Sequence, residues 1–163
     1  MQIIVREFVN SDIESAIAIW NEVVKSGAVF PQIETLDEMT GRKFFENQSY
    51  TGIAVEEESN VIVGLYILHP NNIGQYKYIC NVNYVIKGNE EGLCIDEALV
   101  KDCIEKAKEL GFKILQFNAV VAANAPALYL YEKLGFTKLG VIPKGFLMKD
   151  GSYQDIIPHY RTL

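Results

Sequence analysis

The stretch Leu115–Phe136, "LQFNAVVAANAPALYLYEKLGF", predicts a strand followed by a helix. Its first part belongs to "FKILQFNAVV", which is apolar and rich in aromatic and β-branched residues, as strands are. Asn124 is predicted to cap the helix, with Pro126 near its first position and Gly135 ending it. The chain therefore contains a βα unit near its C-terminal end.

A second βα unit precedes the first one. The strand "ICNVNYVI" leads through a glycine-containing turn, Gly88–Leu99 or "GNEEGLCIDEAL", into a helix. Ile95, Leu99, Cys103 and Ala107 recur every four residues in this helix, which predicts a buried stripe. Gly111 is predicted to end it.

The turn between this strand and its helix resembles an anion site but is acidic. Backbone N–H groups and the helix dipole at such a turn attract anions. The turn nevertheless carries Glu90, Glu91, Asp96 and Glu97. Three explanations stay open: the turn binds no anion, the backbone alone holds the anion, or an ancestral anion site has been lost.

The remaining segments predict an antiparallel meander before the two units and a hairpin after them. Ser11 and Glu14 match a capping box for a helix over 12–25, and Thr35 or Asp37 caps a second helix with Met39, Phe44 and Phe45 on its apolar side. The predicted strands cover residues 3–8, 51–57, 61–70, 76–86 and 112–121, with the last strands folding about Asp150-Gly151. We predict one α/β domain over 1–163, with a mixed, mostly antiparallel central sheet flanked by helices.

Composition narrows the class of protein. The chain has 163 residues, 49% of them hydrophobic, and a net charge of −6. We expect a cytoplasmic protein without a membrane span, because no run of about 18 apolar residues occurs. The negative charge disfavours nucleic acid as a partner. Cys80, Cys94 and Cys103 have no metal spacing, so we expect reduced thiols and no metal site.

The motifs above resemble those of the GNAT (GCN5-related) N-acetyltransferase superfamily. The stretch 115–136 resembles motif B, with its strand, its Asn at the helix start, its Tyr and its Leu-Gly-Phe. The segment "YVIKGNEEGLCIDEALVKDCIEKAKELGF" lies where motif A belongs, and the likeness covers essentially the whole chain. "ICN", "FN" and "IPKGF…DGSYQD" are similar to the branch with fungal N-acetyltransferases of proline-analogue imino acids. The resemblance implies a GNAT fold, splayed between "CNVNYVI" and "ILQFNAV", and acetyl-CoA as co-substrate.

The resemblance also identifies an unusual motif A. The family has Gln/Arg-x-x-Gly-x-Gly/Ala here, whereas Glu91, Cys94 and Asp96 occupy the three positions and Gly92 matches a frequent glycine. A carboxylate about 4 Å from the pyrophosphate would cost roughly 4 kcal/mol at an effective dielectric of 20. Asp96 could instead turn back and cap the helix. The residues that the resemblance assigns to acetyl-CoA are Tyr84, Val85, Ile86, Glu91, Gly92, Leu93, Cys94, Ile95, Asp96, Asn124 and Tyr131.

The resemblance further implies the catalytic and acceptor residues. Tyr131 would protonate the leaving thiolate, and Asn124 would position the reacting groups. Each has a structural alternative: Tyr131 as a half-buried helix aromatic, and Asn124 as the helix cap alone. Phe30, Asn81, Asn83 and Asn118 are predicted to contact the acceptor, although backbone satisfaction explains Asn81 or Asn118 equally well. His69 and His159 are isolated in sequence, so surface or packing roles are favoured for them.

Two functions from different classes fit this sequence. The first is an N-acetyltransferase that acetylates a small-molecule amine, such as an amino or imino acid. The second is a GNAT-fold binding module that has lost catalysis and senses a small ligand or a protein. Tyr131 and the strand asparagines favour the enzyme, and motif A favours the module. A homodimer is expected only because many relatives form one.

Overall fold

A computed structural model describes residues 1–28, 30–88 and 93–163 of the chain. The strands and helices follow in chain order: β1 (Ile3–Glu7), α1 (Ile13–Ser26), α2 (Glu38–Glu46), β2 (Tyr50–Glu56), β3 (Ile62–Pro70), β4 (Ile79–Ile86), α3 (Leu93–Glu109), β5 (Ile114–Phe117), α4 (Ala125–Lys133), β6 (Thr137–Lys138), β7 (Ile142–Leu147), β8 (Tyr153–Ile156) and β9 (His159–Thr162). Within these residues no helix combines the length and apolarity needed to cross a membrane.

The central sheet is mixed and mostly antiparallel, as predicted. Its seven strands lie in the order β1-β2-β3-β4-β5-β9-β6, and β7 pairs with β8 separately. Every neighbouring pair in the seven-stranded sheet is antiparallel except β4 with β5, which is parallel. The parallel pair is the point at which the N-terminal meander meets the βα units.

Helices pack on both faces of the sheet. The predicted stripe on α3 is confirmed, since Ile95, Leu99, Cys103 and Ala107 are all fully buried. They pack with side chains of β2, β3, β4 and α4 in one core. A second core joins α1, α2 and the opposite face of β2–β4 around Trp20. The two cores therefore lie on opposite faces of the sheet, and β2, β3 and β4 contribute side chains to both.

The predicted capping box of α1 is wrong. The carboxylate of Asp12 accepts a hydrogen bond from the Val9 N–H at 2.9 Å and two from Arg6 at 2.7 and 2.8 Å. The segment 10–12 forms a 3₁₀ turn before α1 begins at Ile13. A buried carboxylate with three donors therefore organises this helix start, in place of Ser11 and Glu14.

The structure shows which of the two predicted residues, Thr35 or Asp37, caps helix α2. Asp37 accepts a hydrogen bond from the Thr40 N–H at 2.8 Å, so Asp37 rather than Thr35 is the cap. Phe45 is buried as predicted, but Met39 is 67% exposed. The apolar side of this nine-residue helix is narrower than its sequence suggests, because α2 touches the sheet mainly through its C-terminal turn.

The sheet opens between β4 and β5, as the family resemblance implied. Their pairing ends at Asn81 opposite Gln116. Just after β5, the backbone N–H of Asn118 donates to the side-chain oxygen of Asn81 at 3.3 Å. This hydrogen bond replaces a bond to the β4 backbone. Farther on, Val121 bridges to Ile156. The Asn81 side chain thus ends the ladder, and within the described residues β4 from Val82 to Ile86 has no strand neighbour on this edge.

The C-terminal region contains more strands than predicted. The hairpin about Asp150-Gly151 is present as β7–β8, with Gly151 at φ 86°. The chain then returns as β9, which inserts between β5 and β6. "PHY" is too short a pattern to predict a separate strand, and its pairing with β5 arises only from the three-dimensional fold.

Candidate active site

A cavity of about 640 Å³ lies where β4 and β5 diverge. Its described lining residues come from the α1–α2 loop, the end of β3, β4, α3, the segment after β5, and α4. The lining includes five asparagines, two tyrosines, one histidine and one carboxylate, and the described part contains neither Lys nor Arg. The cavity has two chemically different ends, one lined by amides and one by Tyr84, Asp96 and Tyr131.

Asparagines on neighbouring segments form the amide-lined end. Asn81 donates to the side-chain oxygen of Asn83 at 3.2 Å, and Asn118 donates to that of Asn71 at 2.8 Å. The Asn118 N–H joins the two pairs through Asn81. Asn81, Asn83 and Asn118 were all predicted from the sequence, and the structure places them together on one wall of the cavity.

Three buried polar atoms of this end have no hydrogen-bond partner within the described part of the chain. They are Oε1 of Gln32, Nδ1 of His69 and Oδ1 of Asn118, and all three residues line the cavity. A buried polar atom without a partner costs about 1–3 kcal/mol. Such atoms next to a cavity are ready to bond a ligand or an ordered water.

The loop between α1 and α2 covers the amide-lined end. Phe30 is buried and packs against Trp20 in a tilted arrangement, with ring centroids 4.5 Å apart. Pro31 and Gln32 follow it along the cavity wall. The predicted acceptor residue Phe30 therefore lies at the cavity and is anchored to the core of α1.

Tyr131 lines the other end of the cavity, together with Tyr84 and Asp96. It is 4% exposed, and its ring stacks on Phe117 with centroids 4.0 Å apart. Burial, followed by the neighbouring hydroxyl of Tyr84, raises the pKa of Tyr131 well above its usual range. The hydroxyl is therefore protonated at physiological pH and can donate to a group bound in the cavity.

Asp96 lines the same end of the cavity, and the helix-capping role that the sequence left open for it stays a prediction. It lies inside the first turn of α3 and contributes to the cavity wall. Burial raises the pKa of Asp96 to about 6. Its charge is also close enough to raise the pKa values of Tyr84 and Tyr131, after the larger effect of their own burial. A bound anion here meets a carboxylate that is poorly solvated.

Only some of the other predicted cofactor residues line the cavity. Tyr84, Val85, Ile86 and Asn124 line the cavity. Asn124 also caps α4, since its Oδ1 accepts from the Ala127 N–H at 3.3 Å. Cys94 is exposed and Ile95 is fully buried in the core, so neither side chain lines the cavity. Glu91, Gly92 and the side chain of Leu93 lie outside the described residues.

Sequence reasoning missed three polar residues of the cavity: Gln32, His69 and Asn71. His69 lies within a strand, as the favoured packing role implies, and it also lines the cavity, opposite Asn81 in the β3–β4 ladder. A usable signal existed. Opposite residues of an antiparallel pair share a face of the sheet, so a register prediction would have placed His69 beside Asn81.

Residues 17–136 match the acetyltransferase (GNAT) family. The chain belongs to this family. The match spans the open strand pair, the cavity and both helices that follow its strands, so the family is shown over the region that carries the candidate site.

Two relatives and one solved structure extend this result. The fission yeast N-acetyltransferase aca1 (Schizosaccharomyces pombe) is 31% identical over 81 residues, which are 50% of this chain and only 39% of that protein. Bacillus subtilis YwnH, a proposed phosphinothricin acetyltransferase, is 26% identical over 148 residues, or 89% of this chain and 90% of YwnH. The match to aca1 confirms the predicted resemblance to a fungal N-acetyltransferase over half of this chain.

One solved structure with a similar fold is a GNAT-superfamily phosphinothricin acetyltransferase from Sinorhizobium meliloti, solved in complex with acetyl-CoA. It superposes with a TM-score of 0.91 and 20% identity, covering 100% of this chain and 89% of the neighbour. This likeness confirms the predicted fold. The predicted alternative, a non-catalytic binding module, receives no support from these relatives, all of which are named as acetyltransferases.

Proposed function

We propose that this protein transfers an acetyl group from acetyl-CoA to the amine of a small molecule. One observation carries the proposal: the open strand pair leads into a single cavity with a buried, protonated tyrosine at one end and hydrogen-bonding amides at the other. Thioester-to-amine transfer needs a donor for the leaving sulfur and a pocket that holds the amine against the carbonyl carbon.

Acetyl-CoA fits the tyrosine end of the cavity. No strand of the described part of the chain pairs with the edge of β4 from Val82 to Ile86, so its backbone groups are available to an extended chain such as pantetheine. Asn124 and Pro126 at the start of α4 line the opposite wall. The acyl group of the thioester would then lie between Tyr131 and the amide-lined end.

The acceptor would occupy the amide-lined end. Amide groups both donate and accept hydrogen bonds, so Asn81, Asn83 and Asn118 suit an ammonium group as well as a carboxylate. An amino or imino acid carries both groups within a few atoms. The names of the relatives support this class, since phosphinothricin, the substrate named for the Sinorhizobium protein, is itself an amino acid. Residue roles at this end stay predictions.

The test is a direct assay for transfer. The purified protein is incubated with acetyl-CoA and L-phosphinothricin or azetidine-2-carboxylate, a four-membered proline analogue, and free thiol and acetylated product are measured together. We expect thiol release to depend on the amine and to match product in amount. If a broad panel of amino and imino acids yields no acetylated product, the proposed function is wrong.

Asn118 gives a prediction about the acceptor. Because its Oδ1 is buried without a partner in the described part of the cavity, Asn118→Ala should raise the acceptor's KM about tenfold, roughly one lost hydrogen bond. The KM for acetyl-CoA should change much less. Asn72→Ala is the matched control, because Asn72 is exposed on the neighbouring loop and bonds only the adjacent Ile73 N–H. Equal changes in both KM values would assign Asn118 to structure.

Asn81→Ala should have a broader effect than Asn118→Ala. Asn81 also accepts the hydrogen bond that ends the β4–β5 ladder, so its loss should lower thermal stability as well as acceptor binding.

The cytoplasmic location and the homodimer stay predictions.

A further inference from the structure

Among the described residues, the amide-lined end of the cavity contains one titratable side chain, His69. It lies near the end of β3, directly opposite Asn81 in the ladder. Because paired residues share a face, the imidazole lies on the same face as the side chains of Asn81 and Asn83. Its Nδ1 is buried without a hydrogen-bond partner in the described part of the chain. Nothing in the transfer chemistry described above uses it.

An amine acceptor must lose a proton before it can attack a thioester. At neutral pH an aliphatic amine is almost entirely ammonium, which has no lone pair to offer. The titratable residues of the described cavity lining are His69, Tyr84, Asp96 and Tyr131. The two tyrosines have raised pKa values and are already protonated, so they cannot accept this proton.

Asp96 and His69 therefore remain as candidate proton acceptors. They lie at different ends of the cavity. Asp96 lies on α3 and acts electrostatically on Tyr84 and Tyr131, at the end assigned to the thioester. His69 lies at the amide-lined end, beside Asn81 and two residues from Asn71. Only the histidine is placed at the end that would hold the amine before attack.

We propose, resting on the acetyltransferase function above, that His69 is the proton acceptor for the acceptor amine. The imidazole takes one proton from the ammonium nitrogen and becomes imidazolium. The freed lone pair forms the C–N bond to the carbonyl carbon as the C–S bond breaks, and the electron pair leaves with sulfur. Sulfur takes a proton from the Tyr131 hydroxyl, the amide nitrogen returns its second proton to Tyr131, and His69 releases its proton to solvent.

The environment of His69 suits this task. Burial lowers the pKa of His69, and no charged group of the described residues counteracts that shift. The ring is therefore neutral at pH 7 and free to accept a proton. The carboxylate of Asp96 and the hydroxyls of Tyr84 and Tyr131 are the other titratable groups of the described lining.

The first test is the pH dependence of a non-titrating variant, His69→Gln. At pH 7 we expect kcat/KM with azetidine-2-carboxylate to fall by about 10²-fold. The deficit should narrow as pH approaches the pKa of the amine, because free amine then supplies the lone pair without help. A purely structural role would lower the rate by the same factor at every pH, and that result overturns the proposal.

The second test needs no acetyl-CoA and no turnover. The chain has two histidines, so ring resonances in wild type can be assigned by comparison with His69→Gln. We expect the His69 ring to titrate below pH 6.5 and to shift on addition of azetidine-2-carboxylate, while buried His159 serves as the internal reference. Unchanged His69 resonances at saturating amine would contradict the assignment.

The two proposals fail in different ways. If wild type acetylates the amine and His69→Gln does so equally well across the pH range, only the role of His69 is wrong. If wild type acetylates no amine of the panel, the acetyltransferase function fails, and the role of His69 fails with it. Full activity of His69→Gln after addition of imidazole, but not before, would support the proton-acceptor role directly.

Discussion

Replacing Tyr131 with phenylalanine is expected to lower the rate of acetyl transfer by about 10²–10⁴-fold. The substitution removes only the hydroxyl, and the ring keeps its stacking on Phe117 at 4.0 Å and its contact with Phe136 at 5.7 Å. The leaving sulfur then departs without a proton donor. The loss should appear in kcat, because the donor acts as charge develops on sulfur.

Folding should be little affected by Tyr131→Phe. The hydroxyl lies beside that of Tyr84, so at most about one hydrogen bond, roughly 1 kcal/mol, is lost. Tyr129→Phe is the matched control, because Tyr129 lies two residues away on the same helix and is 60% exposed. Wild-type kcat in Tyr131→Phe, or an equal loss in Tyr129→Phe, would return Tyr131 to a packing role.

Replacing Asp96 with asparagine is expected to tighten acetyl-CoA binding about thirtyfold at pH 8. The carboxylate lines the end of the cavity where the cofactor would enter, and a like charge at roughly 8 Å costs about 2 kcal/mol at an effective dielectric of 20. Asparagine keeps the volume and removes the charge. Calorimetry with acetyl-CoA measures the difference directly.

The difference in acetyl-CoA affinity between wild type and Asp96→Asn should depend on pH, because only the wild-type side chain can ionise. Burial raises the pKa of Asp96 to about 6, above its ordinary value of 3.8. Below pH 5 the carboxyl is mostly neutral, so wild type and Asp96→Asn should bind acetyl-CoA alike. As pH rises through 6 the charge appears, and the wild type should weaken relative to the variant. Titration of the cofactor's own phosphates cancels, since both proteins experience it.

Stability should follow the same pattern. A carboxyl whose pKa is raised on folding stabilises the protein below its unfolded pKa and loses that contribution as pH rises through the folded pKa. Asp96→Asn should therefore be more stable than wild type at pH 8 and equal at pH 4. Glu105→Gln, exposed on the same helix, is the control. A pH-independent affinity ratio would show that Asp96 does not act through its charge.

Most of the fold could be predicted from local patterns. The α3 stripe, the Asp37 and Asn124 caps and the Gly111 and Gly151 turns each depend on a few neighbouring residues, and each appears where expected. The capping box of α1 failed because Arg6, six residues earlier, and the Val9 N–H donate hydrogen bonds to Asp12. Strand β9 was missed because its pairing is entirely non-local.

The candidate site was predictable only in part. Asn81, Asn83, Asn118 and Tyr131 could be found from motif resemblance, and the structure brings all four to one cavity. His69 could not be found in this way, since its importance comes from its register opposite Asn81. The second role of Asn81, ending the β4–β5 ladder, likewise depends on a hydrogen bond across 37 residues of sequence.

The sequence of the turn before α3 combines acidic residues with a predicted pyrophosphate site. The resemblance assigns the pyrophosphate to this turn, where the sequence offers Glu90 and Glu91, with Asp96 on the first turn of the helix. Backbone N–H groups can hold a phosphate against nearby carboxylates, at a cost in affinity that salt reduces over about 10 Å at 0.1 M. Acetyl-CoA binding should therefore strengthen modestly between low and moderate salt.

Calorimetric titration of the wild-type protein with acetyl-CoA tests the central claim most directly. We predict saturable binding of one acetyl-CoA per chain, tighter at pH 5.5 than at pH 8, and tightened at pH 8 by Asp96→Asn. Desulfo-CoA, which lacks the sulfur that carries the acetyl group, should compete for the same site. Absence of binding in wild type and in Asp96→Asn, by folded proteins at both pH values, would contradict the acetyltransferase account.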